Sequence, residues 1–302
     1  MVQHLMQSKK QIIINADDFA LDNTMTDGVV NCYKLGTISQ TSIITTAKSE
    51  YFSYALDKCL KYPELEVGLH VTLCTNNSPY NDYLKPVTEN VGFLCDDEGY
   101  FKRLTSNFIP LKLGIFNRHH QDIREEVKAQ IDYLREHDIS INHLNAHCYI
   151  EIIPLIDRIL TEVCLEEKIP YLRLSYEEDN TNSSWKARAY AGLMRILQAK
   201  NKRNRRSNNC FHAHQYLGVG SIGFDRFDQY VRYLDTISLA EGVCELAVHV
   251  PVEQSPNKWY RNHREYEFVH SPEFRDLLNE NYILTTSKKW LTADRPSLAN
   301  LA

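Results

Sequence analysis

The chain has 302 residues, is 43% hydrophobic and 24% charged, and carries a net charge of −5, the values of a globular protein rather than a disordered or fibrous one. The acidic balance and a pI near 6.2 argue against a nucleic-acid backbone as partner, and no run approaches the roughly 20 apolar residues of a membrane span. A domain of this length buries about three quarters of its unfolded surface without a covalent staple, so the eight scattered cysteines, none in a CxxC pair, are expected to be reduced and mostly buried.

Gln11 to Ala16 (QIIINA) is a nearly continuous, β-branched apolar run, which predicts a buried parallel strand ending at Asp17-Asp18. Asn23 to Leu35 predicts a helix closed by Gly36. Thr41 to Thr46 reads as a second strand, Tyr51 to Lys61 as a second helix and Glu66 to Leu73 (EVGLHVTL) as a third strand. From Cys74 to about Arg118 the pattern dissolves into Asn, Pro, Gly and Asp, too long for a simple connection, so a lid-like excursion or small subdomain is expected at about 74–118. Ile123, Val127, Ile131 and Leu134 follow helical spacing, with Asp122 and Glu125 resembling a capping box. Ile139 to His147 predicts a fourth strand, and Pro154 opens a helix with an apolar stripe from Leu155 to Val163. Tyr171 to Ser175 reads as a strand, followed by a polar stretch from Glu177 to Ser184, a helix to about Ala199 and a solvated basic loop, Lys200 to Arg206. Val243 to Val250 and Tyr282 to Thr286 supply further strands. Strand alternates with helix almost throughout and no repeat is found. The expectation is one α/β domain over 1–302 with a parallel sheet closing into a (β/α) barrel.

In such a barrel the site lies where the strands end on their C-terminal side. The first strand ends in Asp17-Asp18, the third carries His70, the fourth ends in His147, and His249 follows the Val243 strand. Each alone has an ordinary explanation: a turn or cap for the aspartates, a hydrogen-bonded core residue for His70. Their coincidence at one level of the sheet points to a site. On a strand, His143 and His147 are about 13 Å apart, too far to share one ion, so His147 is the ligand candidate and His143 structural. His119, His120, His212 and His214 read as polar loop residues. One carboxylate and two imidazoles leave coordination positions open, as in catalytic rather than structural zinc sites. With more water the same set suits Mn²⁺, Mg²⁺, Co²⁺ or Fe²⁺. The iron oxygenases that share this triad use an all-β frame, which the strand–helix alternation disfavours.

Asn15-Ala16-Asp17-Asp18-Phe19 resembles the NADDFG signature of the YdjC-like carbohydrate deacetylases, which include chitooligosaccharide deacetylases. Gly68-Leu69-His70-Val71-Thr72-Leu73 is similar to their GLHLTL strand, and His143-Leu144-Asn145-Ala146-His147 to the start of their HLDSHQHVH motif. Thr41-Ser42 resembles their TSTS segment, Arg173 their strand arginine, Glu245 to His249 their ELMCHP-type strand, and Tyr260 to Leu278 their C-terminal helix region. The resemblance runs from about residue 11 to 290. It implies a distorted (β/α) barrel related to the polysaccharide deacetylases. It also implies a divalent metal held by Asp18, His70 and His147, with Asp17 as general base. Ala20 replaces the family's glycine, HLNAHCYIE replaces HLDSHQHVH, and His249-Val250-Pro251 replaces an HPG turn.

The expected function is a metal-dependent hydrolase that removes acetyl groups from N-acetylated, chitooligosaccharide-like sugars. It would use Mg²⁺ or Zn²⁺, with Mn²⁺ or Co²⁺ also compatible. His249 is the candidate general acid and Arg173 a candidate substrate-binding residue. The eighteen tyrosines suit a carbohydrate cleft as well as a core. The alternatives are a catalytically impaired sugar-binding or regulatory protein on the same fold, suggested by the HLNAHCYIE segment, or a metal hydrolase for another amide or ester. The expected partner is a small carbohydrate, with neither nucleic acid nor membrane. A homodimer is a compatible assembly, and the absence of a signal-peptide core near the first residues leads to a cytoplasmic expectation.

Overall fold

A computed structural model describes residues 9–75, 83–104, 106–107, 115–175, 196–197, 199–205, 208, 210–218, 226–237, 242–253 and 264–293. The expected polar stretch 177–184 and most of the helix to Ala199 lie outside these residues. The strands are β1 (Lys10–Phe19), β2 (Gln40–Ile43), β3 (Glu66–Val71), β4 (His143–Ala146), β5 (Tyr171–Leu172), β6 (Gln215–Gly218), β7 (Val243–Val248) and β8 (Tyr282–Thr285). Every ladder among them is parallel, in the order β5-β4-β3-β2-β1-β7-β6 with β8 also on β1. The sheet curls into a half-barrel of the TIM-like type surrounded by helices, as the sequence led us to expect.

β1 is the spine. Gln11 to Ala16 pair with β7, Lys10 to Ile13 pair with β8, and Asn15 to Phe19 pair with β2. With neighbours on both edges and helices outside, its residues from Ile12 onward are all buried, which is why it reads as an unbroken apolar run. The strand does not stop at the aspartates. It continues to Phe19 through a register shift between Ala16 and Phe19, and Asp18 takes a left-handed φ of 61°.

Helix α1 (Asn23–Leu35) is capped by Asp22, whose carboxylate accepts from Met25 N at 2.8 Å, and it closes at Gly36 with φ 79°. Helices α2 (Ser49–Lys61), α3 (His120–Arg135) and α4 (Pro154–Glu166) follow, and Pro154 occupies the first turn of α4 as expected. The capping box at Asp122 does not form. α3 starts at His120, and Asp122 lies inside its first turn, bonded to His119 Nδ1 at 2.8 Å. Nor are the described residues of the expected loop 200–206 a solvated loop: residues 199–205 are helical, and Arg205 is fully buried on Asp157 and on the carbonyls of Leu172 and Arg173. A basic run at helical spacing can bury one member if a carboxylate waits for it.

The remaining helices are α5 (Phe227–Leu234), α6 (Arg264–Val269), α7 (Pro272–Asn281) and α8 (Ser287–Ala293). No helix among the described residues is long and apolar enough to cross a membrane. The described part of the excursion is tied down. Lys85 N donates to Thr46 O at 2.9 Å, buried Glu126 of α3 accepts from Val87 N and Thr88 N, and Leu84, Val91, Leu94 and Phe101 join the main core.

Candidate metal centre

The half-barrel interior is filled in layers by alternate residues of its strands, as a period of two requires. At the bottom Ile13, Tyr171, Val243 and Trp290 form an apolar plug. Above it Asn15 Oδ1 accepts from Gln40 Nε2 at 3.1 Å and from His143 Nε2 at 3.0 Å. Gly68 makes room here, since a Cβ would lie 2.3 Å from the His143 ring. The next layer holds Asp17, Ser42, His70, Asn145, Arg173 and Glu245, all buried. Asp18 near the end of β1, His147 just after β4 and His249 just after β7 follow.

Asp18 Oδ1 is 3.1 Å from His70 Nε2 and 2.9 Å from His147 Nδ1. The three residues are buried, and each offers a ligand atom within 4.8 Å of the others. Two observations test whether this set fits a cation. His70 Nδ1 donates to Asn145 Oδ1 at 2.7 Å, which fixes the tautomer and leaves the Nε2 lone pair facing Asp18. His147 Nε2 is buried with no hydrogen-bond partner, a deficit that native interiors rarely leave. The set fits a divalent ion.

The local backbone explains how these side chains meet. Neighbouring strand residues face opposite ways, so Asp17 and Asp18 reach one cavity only because the bulge turns Asp18 over. Ala20, at φ 77°, follows in the same turn; glycine is the residue that adopts this region without cost, and a Cβ there costs roughly 1–2 kcal/mol. After β4 the chain breaks at His147, and Cys148 and Tyr149 both take φ 58°. Such strain persists where surrounding contacts over-determine it, commonly at functional sites.

Asp17 is held differently. Arg173 donates to it twice, Nη1 to Oδ2 at 2.5 Å and Nη2 to Oδ1 at 2.7 Å, while Arg173 Nε donates to Glu245 Oε1 at 2.7 Å. Asn15 Nδ2 and Asn145 Nδ2 also donate to Asp17 Oδ1, at 2.6 and 3.2 Å, and Tyr171 Oη donates to Glu245 Oε2 at 2.6 Å. Burial pushes the Asp17 carboxyl up, but Arg173, with help from His70 and His249, outweighs it and holds the pKa at about 2. For Asp18 burial is likewise outweighed, here by His147 and His70, and the pKa lies well below the carboxylate range. Burial also opposes a charged His147, yet the neighbouring Cys148 and Asp18 raise its pKa well above the usual value.

His249 follows β7, with Nε2 3.8 Å from Asp18 Oδ2 and Nδ1 4.0 Å from Glu265. Burial lowers its pKa against the pull of Asp18 and Asp17. The structure therefore brings together Asp17, Asp18, His70, His147 and His249. Arg173, the expected substrate-binding residue, is fully buried with its guanidinium on Asp17 and Glu245. The sequence reading assigned nothing to Asn15, Tyr171 or Glu245. The available signal was polar residues at alternate positions of otherwise apolar strands.

Residues 11–280 match the family profile described as YdjC-like protein. Over 153 residues the chain is 31% identical to a carbohydrate deacetylase of Halalkalibacterium halodurans, covering 49% of this chain and 59% of that protein. Over 146 residues it is 32% identical to a carbohydrate deacetylase of Listeria monocytogenes serotype 4a, covering 48% and 54%. The chain thus spans little more than half the length of these curated relatives. The crystal structure of a candidate cellobiose-phosphate cleavage protein from Enterococcus faecalis V583 shares the fold, with a TM-score of 0.67 at 22% identity over 93% of this chain and 98% of that one.

Proposed function

The chain belongs to the YdjC-like family, and from that premise we propose that it is a metal-dependent carbohydrate deacetylase acting on N-acetylated sugars. The observation that carries this reading is the buried Asp18–His70–His147 cluster with a second carboxylate, Asp17, beside it. The relatives named carbohydrate deacetylases support the substrate class.

Asp18, His70 and His147 would hold the ion, with Mg²⁺ or Zn²⁺ as the first candidates and Mn²⁺ or Co²⁺ compatible. A bound divalent ion supplies Lewis acidity toward a carbonyl and lowers the pKa of water toward ~7. The protein's own part is to position and move protons. Asp17, kept ionised by Arg173, takes a proton from the attacking water, a step worth about 10²–10⁴-fold for a well-placed base. The guanidinium that keeps Asp17 ionised also weakens it as a base, so the proton passes on rather than resting there. His249, which follows β7 and lies 3.8 Å from Asp18, is the candidate to deliver a proton to the leaving nitrogen. The water oxygen bonds to the acetyl carbon, the C–N bond breaks, and acetate and a free amine leave. Glu245 and Tyr171 hold Arg173 in register beneath Asp17.

The test is elemental analysis together with acetate release from diacetylchitobiose and a panel of N-acetyl sugars. We expect about one divalent ion per chain and release from at least one sugar, with loss of metal in His70→Ala and His147→Ala. A fully loaded His147→Ala protein would refute the ligand set. Metal without acetate release would favour another amide or ester. Neither metal nor release would favour a binding protein on the same fold, the reading suggested by Asn145, Cys148 and Glu151 within HLNAHCYIE.

A further inference from the structure

Asn145 is fully buried in β4 and is the residue that pairs with His70 of β3 in the parallel ladder. We propose that Asn145 is a positioning residue for the ion: its carboxamide fixes which nitrogen of His70 is offered and, being neutral, sets a weaker hold than a carboxylate would at the same place. This role deepens the reading of Asp18, His70 and His147 as the ligand set and rests on it.

An amide side chain can sit either way round, and its neighbours decide which. Arg173 donates to both oxygens of Asp17, so Asp17 is an acceptor and the side of Asn145 that faces it must donate. Nδ2 accordingly lies 3.2 Å from Asp17 Oδ1 and 2.9 Å from Ser42 Oγ. That leaves Oδ1 for His70 Nδ1 at 2.7 Å, and an amide oxygen, having no proton, can only accept. His70 therefore carries a proton on Nδ1, and Nε2, 3.1 Å from Asp18 Oδ1, is the atom left to offer. Ser42 fits the same sense. Its Oγ accepts from Asn15 Nδ2 at 3.1 Å and from Asn145, so its own proton goes to Asp17 Oδ1 at 3.5 Å. With Asp17 pinned by the guanidinium, the amide of Asn145 has one orientation.

The group that accepts from the far nitrogen of a ligating imidazole governs how basic the near nitrogen is. A carboxylate in that place pulls on the Nδ1 proton and enriches the Nε2 lone pair, and a neutral amide oxygen does so less, as a hydrogen bond to a charged acceptor is the stronger kind. Asn145 thus supplies the direction of the bond without the extra negative charge. The charge already present shows why an amide suits the position. Asp17, Asp18 and Glu245 are three buried carboxylates, and Arg173 is shared between two of them. A further anion 3.2 Å from Asp17 would replace a hydrogen bond with like-charge repulsion.

Ion binding to the whole, metal-stripped protein tests this without reference to turnover. Zn²⁺ and Mn²⁺ are titrated calorimetrically, against a competing chelator where binding is tight, into wild type, Asn145→Asp, Asn145→Leu and Ser42→Ala. Asn145→Asp should bind about 10-fold more tightly and Asn145→Leu about 10–100-fold more weakly. Damage to packing cannot produce that order, because one variant gains affinity. Ser42→Ala, which removes longer bonds around the same groups, should change affinity less than either. The imidazole ¹⁵N shifts of His70 in Zn²⁺-loaded wild type should place the proton on Nδ1 and the ion on Nε2. Urea unfolding identifies a variant that fails to fold, and Asn145→Asp, nearest in shape to wild type, carries the test if Asn145→Leu does. The reverse assignment of the two nitrogens, or an Asn145→Asp protein no tighter than wild type, overturns the proposal. If wild type binds no ion, the ligand set falls and this role for Asn145 falls with it. If the ion binds and the variants match wild type, only the role of Asn145 falls.

Discussion

On one side of the cavity Asp18 Oδ1 is shared between two imidazoles at 2.9 and 3.1 Å, and His147 Nε2 is buried without a partner. On the other side Asp17 receives two bonds from Arg173 and further bonds from two asparagines, while Glu245 takes the remaining guanidinium edge and the Tyr171 hydroxyl. The two carboxylates are adjacent in the chain and both buried, yet one lies against an imidazole, His147, whose Nε2 is still short of a partner, and the other against groups already satisfied. A buried charge with a full set of donors is held ionised in one place, whereas one beside a donor or acceptor without a partner leaves room for a ligand. On the proposed reading Asp18 belongs to the ion and Asp17 to the proton.

Exchanging charge for shape at Asp17 should produce the largest effect. Asp17→Asn is expected to cut turnover by about 10²–10⁴-fold while metal content stays near that of wild type. Loss of metal in this variant would show that the two sides are one site. Next in size, Arg173→Met strands Asp17 and Glu245 without a cation in the interior. It should destabilise the fold by about 3–5 kcal/mol, read from urea unfolding, with kcat falling in whatever protein folds. A loss below about 1 kcal/mol would mean that water or a rearranged partner satisfies the carboxylates.

The smallest effect concerns acid. Asp17 is lowered to about 2 from 3.8, for the reasons given above, and Glu66 to about 2 from 4.5, because His143, Thr286 and Ser287 outweigh its burial. Both folded-state values lie below the unfolded ones, so the native protein binds fewer protons. The resulting stability is complete above about pH 5 and is lost as pH falls through the window down to about 2, about 2 kcal/mol for Asp17 and about 3 kcal/mol for Glu66. Urea midpoints of metal-free protein between pH 6 and 2.5 should fall accordingly, and Glu66→Gln should flatten only its own share. A midpoint independent of pH across that range would remove the charge argument for the guanidinium side.

Much of this was legible in the residues. QIIINA, TSIITT, EVGLHVTL and VCELAVHV announce buried parallel strands, and the helices from Asn23 and Pro154 declare themselves through Gly36 and a first-turn proline. β6, Gln215 to Gly218, escaped because four residues without alternation carry no period to read. Strand ends were drawn too long at Ile139 and Val250, where residues remain apolar after the hydrogen-bonded ladder has stopped. Arg205 escaped because a run of basic residues does not tell which of them will find Asp157.

By itself the sequence determined the fold class, the alternation of strand and helix, and the placement of Asp17, Asp18, His70, His147 and His249 at or near strand ends. Those follow from local periodicity and from hydrophobicity, which neighbouring residues settle among themselves. Only the tertiary structure decided that Asp18 turns to the imidazoles through a bulge, that Arg173 is buried beneath Asp17 instead of facing the cleft, and that Asn145 bonds both His70 and Asp17. Strands buried on both faces carry no mark of which face is the interior. Which side chains converge is set by register between strands and by crossings of distant segments, and neither is written in any one stretch of chain.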